Sequence, residues 1–193
     1  VTLVGVLNAD SALQMADADF RAAERTYQLI SQVAGRAGRA DLPGEVIVQS
    51  YDPSVPVIRR AAAGDYAEFA AEELSARKDC NLPPYCHLAV IVLSSPNLKL
   101  VSSWADMYAQ SLRNYFQTSN LKRQTSNLKP QTGLVSDAMP CALEKAADKY
   151  RWQVSVRTTS VSAIVGAWRW LQSVRPLPRT LGVSLDVDAY SLL

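Results

Sequence analysis

This 193-residue chain has a single histidine and only three cysteines. Cys80, Cys86 and Cys141 are odd in number and form neither a CxxC nor a CxxH pair, which argues against a disulfide framework and against a tetrahedral zinc site. They read as buried or idle thiols. His87 stands beside Cys86, but two ligands do not close a zinc site, so His87 reads as a packed side chain and no metal ligand is assigned. No run approaches the roughly 20 apolar residues of a membrane span, so a soluble, cytoplasmic chain is expected. The opening VTLVGVLNAD lacks the basic start and cleavage site of a signal peptide. It begins with Val1 inside what reads as a buried strand, and the start reads as cut off. The chain also lacks a GxxxxGK[ST] loop to cradle phosphates and an acidic segment to hold Mg²⁺.

What is present is an ordinary globular composition, 48% apolar and 20% charged, long enough for one large domain or two small ones. The net charge of +2 is unevenly spread: residues 1–80 hold eight Lys/Arg against twelve Asp/Glu, and residues 81–193 hold twelve against six. A basic half joined to a mildly acidic one suits a module that meets a polyanion, though it also suits ordinary solvated faces.

Residues 1–7 form a Val- and Leu-rich run of the kind found in a parallel strand covered on both faces. Phe20, Ala23, Tyr27, Ile30 and Ala34 then recur at helical spacing, predicting a helix that ends near Gly35. Val46–Val48 starts a second strand, completing a βαβ unit with a parallel sheet. Residues 53–79 read as two helices, the second capped by Asp65, and Leu82-Pro83-Pro84 stops helical structure. The division is therefore 1–52 for the βαβ unit, 53–82 for a helical connector and 83–193 for a second domain. That second domain reads as βαββαβ, a small two-layer α+β sandwich.

A loop at about 117–132 is expected to contain the tandem repeat QTSNLKR and QTSNLKP, identical in its first six residues. Only Leu121 and Leu128 are apolar in it, too few for a solenoid or a heptad. It reads as a surface insertion, or as a basic finger carrying Lys122, Arg123 and Lys129.

The most informative segment is Gln32-Val33-Ala34-Gly35-Arg36-Ala37-Gly38-Arg39. Glycine lets a polyanion approach the backbone, and arginine offers a permanently charged planar fork that suits phosphate oxygens. In phosphoryl transfer such an arginine stabilises charge on the reacting phosphate. The plainer alternative is a pair of arginines meeting a helix dipole.

QVAGRAGR resembles motif VI of superfamily 2 helicases, QxxGRxGR. That resemblance implies that Arg36 and Arg39 reach the γ-phosphate of ATP between two RecA-like lobes, with Gln32, Gly35 and Gly38 shaping the contact. VTLVGVLNAD is similar to motif V, which implies that Asn8 and Asp10 couple nucleotide state to DNA. ADFRAAERTYQLISQVAGRAGR, GEVIVQS, LPPY, DKYRWQV and SLDVDAY resemble, in that order, the primosomal protein N′ (PriA) family. The resemblance implies a partial RecA-like lobe (1–52) followed by a C-terminal α+β domain, in an α/β protein. It implies an ATP-dependent 3′-to-5′ DNA helicase acting in replication restart, with ATP and Mg²⁺ as cofactors held mainly by an upstream part. Zinc belongs to the family's other regions, and this chain alone is expected to be inactive. The implied partners are branched or forked DNA, the tail of single-stranded DNA-binding protein and other primosome proteins.

Lys149, Arg151 and Gln153 alternate with Tyr150 and Trp152, so a strand there puts the polar three on one face for DNA or partner binding. The sequence departs from the family pattern at the repeat, at Asp148-Lys149 where Gly-Arg is usual, and at Ala189 where DVDP is usual. Two other readings stay open: a non-catalytic nucleic-acid- or protein-binding module, and another superfamily 2 translocase.

Overall fold

The computed structural model describes residues 3–11, 13–15, 19–37, 44–124 and 133–189, the side chains of 15 and 120–124 excepted. The chain divides into two compact units, Val1–Cys80 and Asn81–Leu193, each a mixture of helix and strand.

In the first unit β1 (Leu3–Val6) and β2 (Glu45–Val48) pair in parallel, with Leu3 opposite Glu45 and Val6 opposite Val48. Parallel neighbours require a crossover, and α1 (Ala22–Ala34) makes it. Its apolar stripe buries Tyr27 and Ile30 against Val6, Ala9, Val57, Ile58, Ala61 and Phe69, with the Tyr27 and Phe69 rings stacked at 4.4 Å. The last four of those neighbours come from α2 (Pro56–Ala63) and α3 (Tyr66–Asp79). The segment expected as a connector is thus part of this unit's core. Asp65 caps α3, its carboxylate accepting from the Glu68 amide at 3.2 Å.

The expectation that the opening strand is covered on both faces needs correction. Leu3 and Ile47 are each 55% exposed, and the register places them with Gly5 on the face away from Val4, Val6 and Val48. One crossover helix covers one face of a sheet, and a second layer is needed for the other.

The second unit is a five-stranded antiparallel sheet under two helices. β3 (His87–Ser95) lies between β6 (Lys149–Thr158) and β7 (Gly182–Val187), while β4 (Gly133–Val135) and β5 (Met139–Ala146) share the outer edge of β6. α4 (Leu98–Gln124) and α5 (Val161–Val174) pack on one face, burying Val101, Ala105, Tyr108, Leu112, Ala163, Ala167 and Leu171 over Ile91, Leu93, Val154 and Val156. Ser160 caps α5 by accepting from the Ala163 amide.

Two expectations change here. The order is βαβββαβ, because Met139–Ala146 forms a strand that a charged, irregular stretch does not announce; its pairing with β6 breaks register between Pro140 and Lys145. Helix α4 also runs to Gln124, through the first copy of the repeat. No glycine or proline interrupts 98–124, so helix propagation carries on past the last core contact. Residues 125–132, with the second copy and Lys129, lie outside the described residues.

The Tyr108 hydroxyl is buried without a hydrogen-bond partner among the described residues, and burial pushes its pKa up. An unpaired buried hydroxyl costs about 1–3 kcal/mol. Tyr108→Phe is therefore expected to leave the melting temperature unchanged or raise it. Leu171→Ala, which empties a fully buried site in the same core, should cost about 2–5 kcal/mol. Thermal unfolding followed by circular dichroism compares the two.

Candidate functional site

Three places gather the residues that the sequence singles out. The first is the end of α1. Gln32 lies on its last turn, Gly35 is the C-cap, and Arg36 follows with its amide donating to the Val33 carbonyl at 3.0 Å. Gln32, Gly35 and Arg36 are all exposed. Gly35 has φ −66°, an ordinary helical value, and an added Cβ would meet only the Ser31 and Gln32 carbonyls at 3.5 Å and 3.8 Å. Its own backbone does not require glycine, so the bare helix end itself is what glycine provides. Gly38 and Arg39 lie outside the described residues.

The second place is the carboxyl end of β1 and β2. The ladder continues past both strands, the Gln49 amide donating to the Val6 carbonyl and the Ala9 amide to the Gln49 carbonyl, each at 2.9 Å. Asp10 is nearly covered, and its carboxylate accepts from the Ser50 hydroxyl and the Tyr51 amide, both at 2.8 Å. The Tyr51 amide holds the Asp10 carboxyl below the ordinary aspartate range, with the Ser50 hydroxyl adding to it and burial opposing. Asn8, Asp10, Gln49, Ser50 and Tyr51 line a small crevice there.

Asn8 and Asp10 thus stand together, but apart from Gln32 and Arg36. No side-chain hydrogen bond or ion pair joins the two sets among the described residues. The topology explains it: the crossover helix returns the chain toward the edge where the strands begin, away from the edge where they end.

The third place is the face of the second unit's sheet opposite α4 and α5. Along β6, Tyr150, Trp152, Val154 and Val156 turn to the helices, which leaves Lys149, Arg151 and Gln153 on the other face. Tyr150 and Trp152 therefore pack against the core rather than offering stacking surfaces, and Trp168 and Trp170 pack around the same core. Register sets Arg151 beside Ser94, which faces Gly182 on β7, and Gln153 beside Val92, which faces Ser184. Lys149 and Arg151 line a hollow of about 330 Å³ with Val92, Ser94, Ala146, Gly182, Val183 and Ser184. A Cβ on Gly182 would come within 2.8 Å of the Ser94 hydroxyl; glycine keeps that floor open. Sequence reasoning missed Ser94, Gly182 and Ser184, because only strand register places them in the rows of Arg151 and Gln153.

The fold and these surfaces can be set beside known proteins. The sequence profile of the family described as Primosomal protein N C-terminal domain matches residues 78–190. The chain belongs to this family, PriA. Proteins named Replication restart protein PriA resemble it along its length. That of Synechocystis sp. is 33% identical over 192 residues, 100% of this chain and 21% of the relative. That of Haemophilus influenzae is 36% identical over 194 residues, covering 100% and 24%, and that of Bacillus subtilis is 42% identical over 113 residues, covering 58% and 14%. The chain spans about a quarter or less of the length of these PriA relatives. A solved putative aminohydrolase from methicillin-resistant Staphylococcus aureus aligns with 96% of this chain and 59% of its own at a TM-score of 0.24 and 13% identity, too low to bear on the fold.

The structure bears on two departures from the PriA pattern. Ala189 donates its amide to the Leu88 carbonyl at 3.2 Å, a bond that the usual proline cannot make. His87, expected to be packed, is instead 40% exposed and sets Nδ1 3.0 Å from the Asp188 carboxylate. At the other departure, Ala147 and Asp148 form a two-residue hairpin between Ala146 and Lys149, with φ of 49° and 58°. That is the twist of a type I′ turn, which favours Asn-Gly. The turn aims Lys149 into the hollow. Replacing the pair by Ala147→Asn and Asp148→Gly should therefore raise stability by about 1 kcal/mol, read as a higher melting temperature, with Lys149 left in register.

Proposed function

We propose that this chain is part of an ATP-dependent 3′-to-5′ DNA helicase of replication restart. The first unit supplies the closing portion of a RecA-like second lobe, and the second unit grips forked DNA and the tail of single-stranded DNA-binding protein. The observation that carries the motor half is the placement of the QxxGR motif: α1 presents Gln32 and Arg36 to solvent at a helix end stripped of its Cβ at Gly35.

An exposed guanidinium beside a bare helix end suits a phosphate from outside this unit, since Arg needs only approach and orientation to bind phosphate oxygens. Arg36 and Arg39 would hold the γ-phosphate. Bound ATP supplies the hydrolysable phosphoanhydride, and Mg²⁺ its counter-charge. No group of three His, Cys, Asp or Glu among the described residues is arranged to hold a metal. On this reading the chain contributes charge stabilisation from the arginine side.

In the second unit, Lys149 and Arg151 beside Ser94 and Ser184 form a site for an anionic oxygen, with two cations at the rim and hydroxyl donors on the floor. Gln153 extends it by an amide one row along the sheet. Phosphates of a fork and the carboxylates of an acidic peptide share that chemistry.

In the complete protein, Arg36→Ala and Arg39→Ala are expected to lower DNA-stimulated ATP hydrolysis about 10³-fold or more while leaving fork affinity within about twofold. Wild-type turnover in both would remove the motif VI assignment. Separately, Lys149→Glu with Arg151→Glu should weaken binding of forked DNA or of a peptide copy of the tail at fixed salt. For DNA, the dependence of log affinity on log salt should fall by about one unit per lost phosphate contact. Unchanged affinity for both ligands would move the contact elsewhere.

A further inference from the structure

The crevice at the carboxyl ends of β1 and β2 has no role in the reading above beyond the coupling ascribed to Asn8 and Asp10. Ligands of open parallel sheets gather outside the carboxyl ends of the strands, and here the crevice measures about 130 Å³. Its one carboxylate, Asp10, is already committed, and so is the nearby Asp52. Asp10 is closed on Ser50 and Tyr51, and Asp52 accepts from the Ser54 amide and hydroxyl. Both carboxyls are held below the ordinary aspartate range by those bonds. Among the described residues no lysine or arginine lines the crevice. Phosphate would thus meet the Asp10 carboxylate and no cation, which makes this a poor site for a backbone or a triphosphate.

What remains free is an aromatic ring and two amides. Tyr51 is 86% exposed, although its main chain is fastened through Asp10. A bare ring on an anchored backbone offers a stacking plane at little entropic cost. Asn8, exposed and held at φ 53°, and exposed Gln49 flank it with carboxamides. Asn and Gln side chains match the paired donor and acceptor on a base edge.

We infer that this crevice binds an unpaired nucleobase, stacked on Tyr51 and edged by the amides of Asn8 and Gln49. This rests on the reading of the first unit as part of a nucleic-acid motor and names where that unit touches a base. Asp10 then acts as a positioning residue that fixes the Tyr51 backbone rather than as a ligand.

The test uses the complete protein and a fluorescent dodecamer of thymidylate. A stacked base is worth about 1–3 kcal/mol, so Tyr51→Ala should weaken binding about tenfold. Tyr51→Trp should bind within about twofold of wild type, and the salt dependence should be the same in all three, because no phosphate contact is lost. An oligothymidylate carrying one 5-iodouracil should also photo-crosslink to Tyr51 in the wild-type chain. Unlabelled oligothymidylate suppressing that adduct assigns the base to a strand, and ATP suppressing it assigns the base to the nucleotide; either places a base in the crevice. Wild-type affinity in Tyr51→Ala, equal loss in Tyr51→Trp, or adducts that map only elsewhere overturns the proposal. Its failure is separable from that of the motor reading, which the ATPase of the Arg36 and Arg39 variants tests without reference to Tyr51.

Discussion

The burial of α4 and α5 against one face of the β3–β6 sheet decides where the charges of the second unit can go. Tyr108, Leu112, Leu171, Leu93 and Val154 are almost wholly removed from water in that layer, and the hydrophobic effect makes it the dominant favourable term there. Because strand side chains alternate, fixing Tyr150, Trp152 and Val154 inward fixes Lys149, Arg151 and Gln153 outward. A one-residue slip would bury cations and expose tryptophan. The basic face is thus a by-product of the core.

Register then gives that face its shape. Ser94 on β3 and Gly182 on β7, both small, lie in the same row as Arg151 of β6, so the rim is charged and the floor is low. The neighbouring Cys141 thiol is buried, and burial pushes its pKa up against the opposing charge of Arg151. It therefore stays a neutral side chain beside the cations, and leaves Arg151 free of a thiolate partner.

The first unit follows a different logic. Its sheet is only two strands wide among the described residues, and it relies on fastening across strand ends. Asp10 joins the loop after β1 to the loop after β2. Arg77 bridges Glu73 at 2.7 Å and Glu24 at 3.0 Å, tying α3 to α1. Arg77 is mostly buried, and its two partners compensate the loss of hydration that burial imposes. Such clasps hold the exposed residues Asn8, Gln49 and Tyr51 on a fixed frame, and the same α1 that receives Arg77 presents Gln32 and Arg36.

Periodicity and local chemistry were enough to read several elements from the residues alone. The helix ending at Gly35, the Asp65 cap, the parallel pairing implied by βαβ and the outward face of Lys149, Arg151 and Gln153 depend on neighbours within a few positions. The QxxGRxGR spacing and the ordered family motifs are likewise properties of the linear chain, and they point to PriA without reference to a fold. Tertiary structure decided what involves distant partners. β5 exists because β6 offers it an edge, not because its own charged and irregular sequence favours a strand. His87 finds Asp188, Arg151 meets Ser94 and Gly182, and Asp10 closes on Ser50 only through pairings between strands far apart in sequence. Local periodicity carries no record of which strand lies next to which, and that adjacency turned a short list of basic residues into a hollow and a turn acid into a clasp.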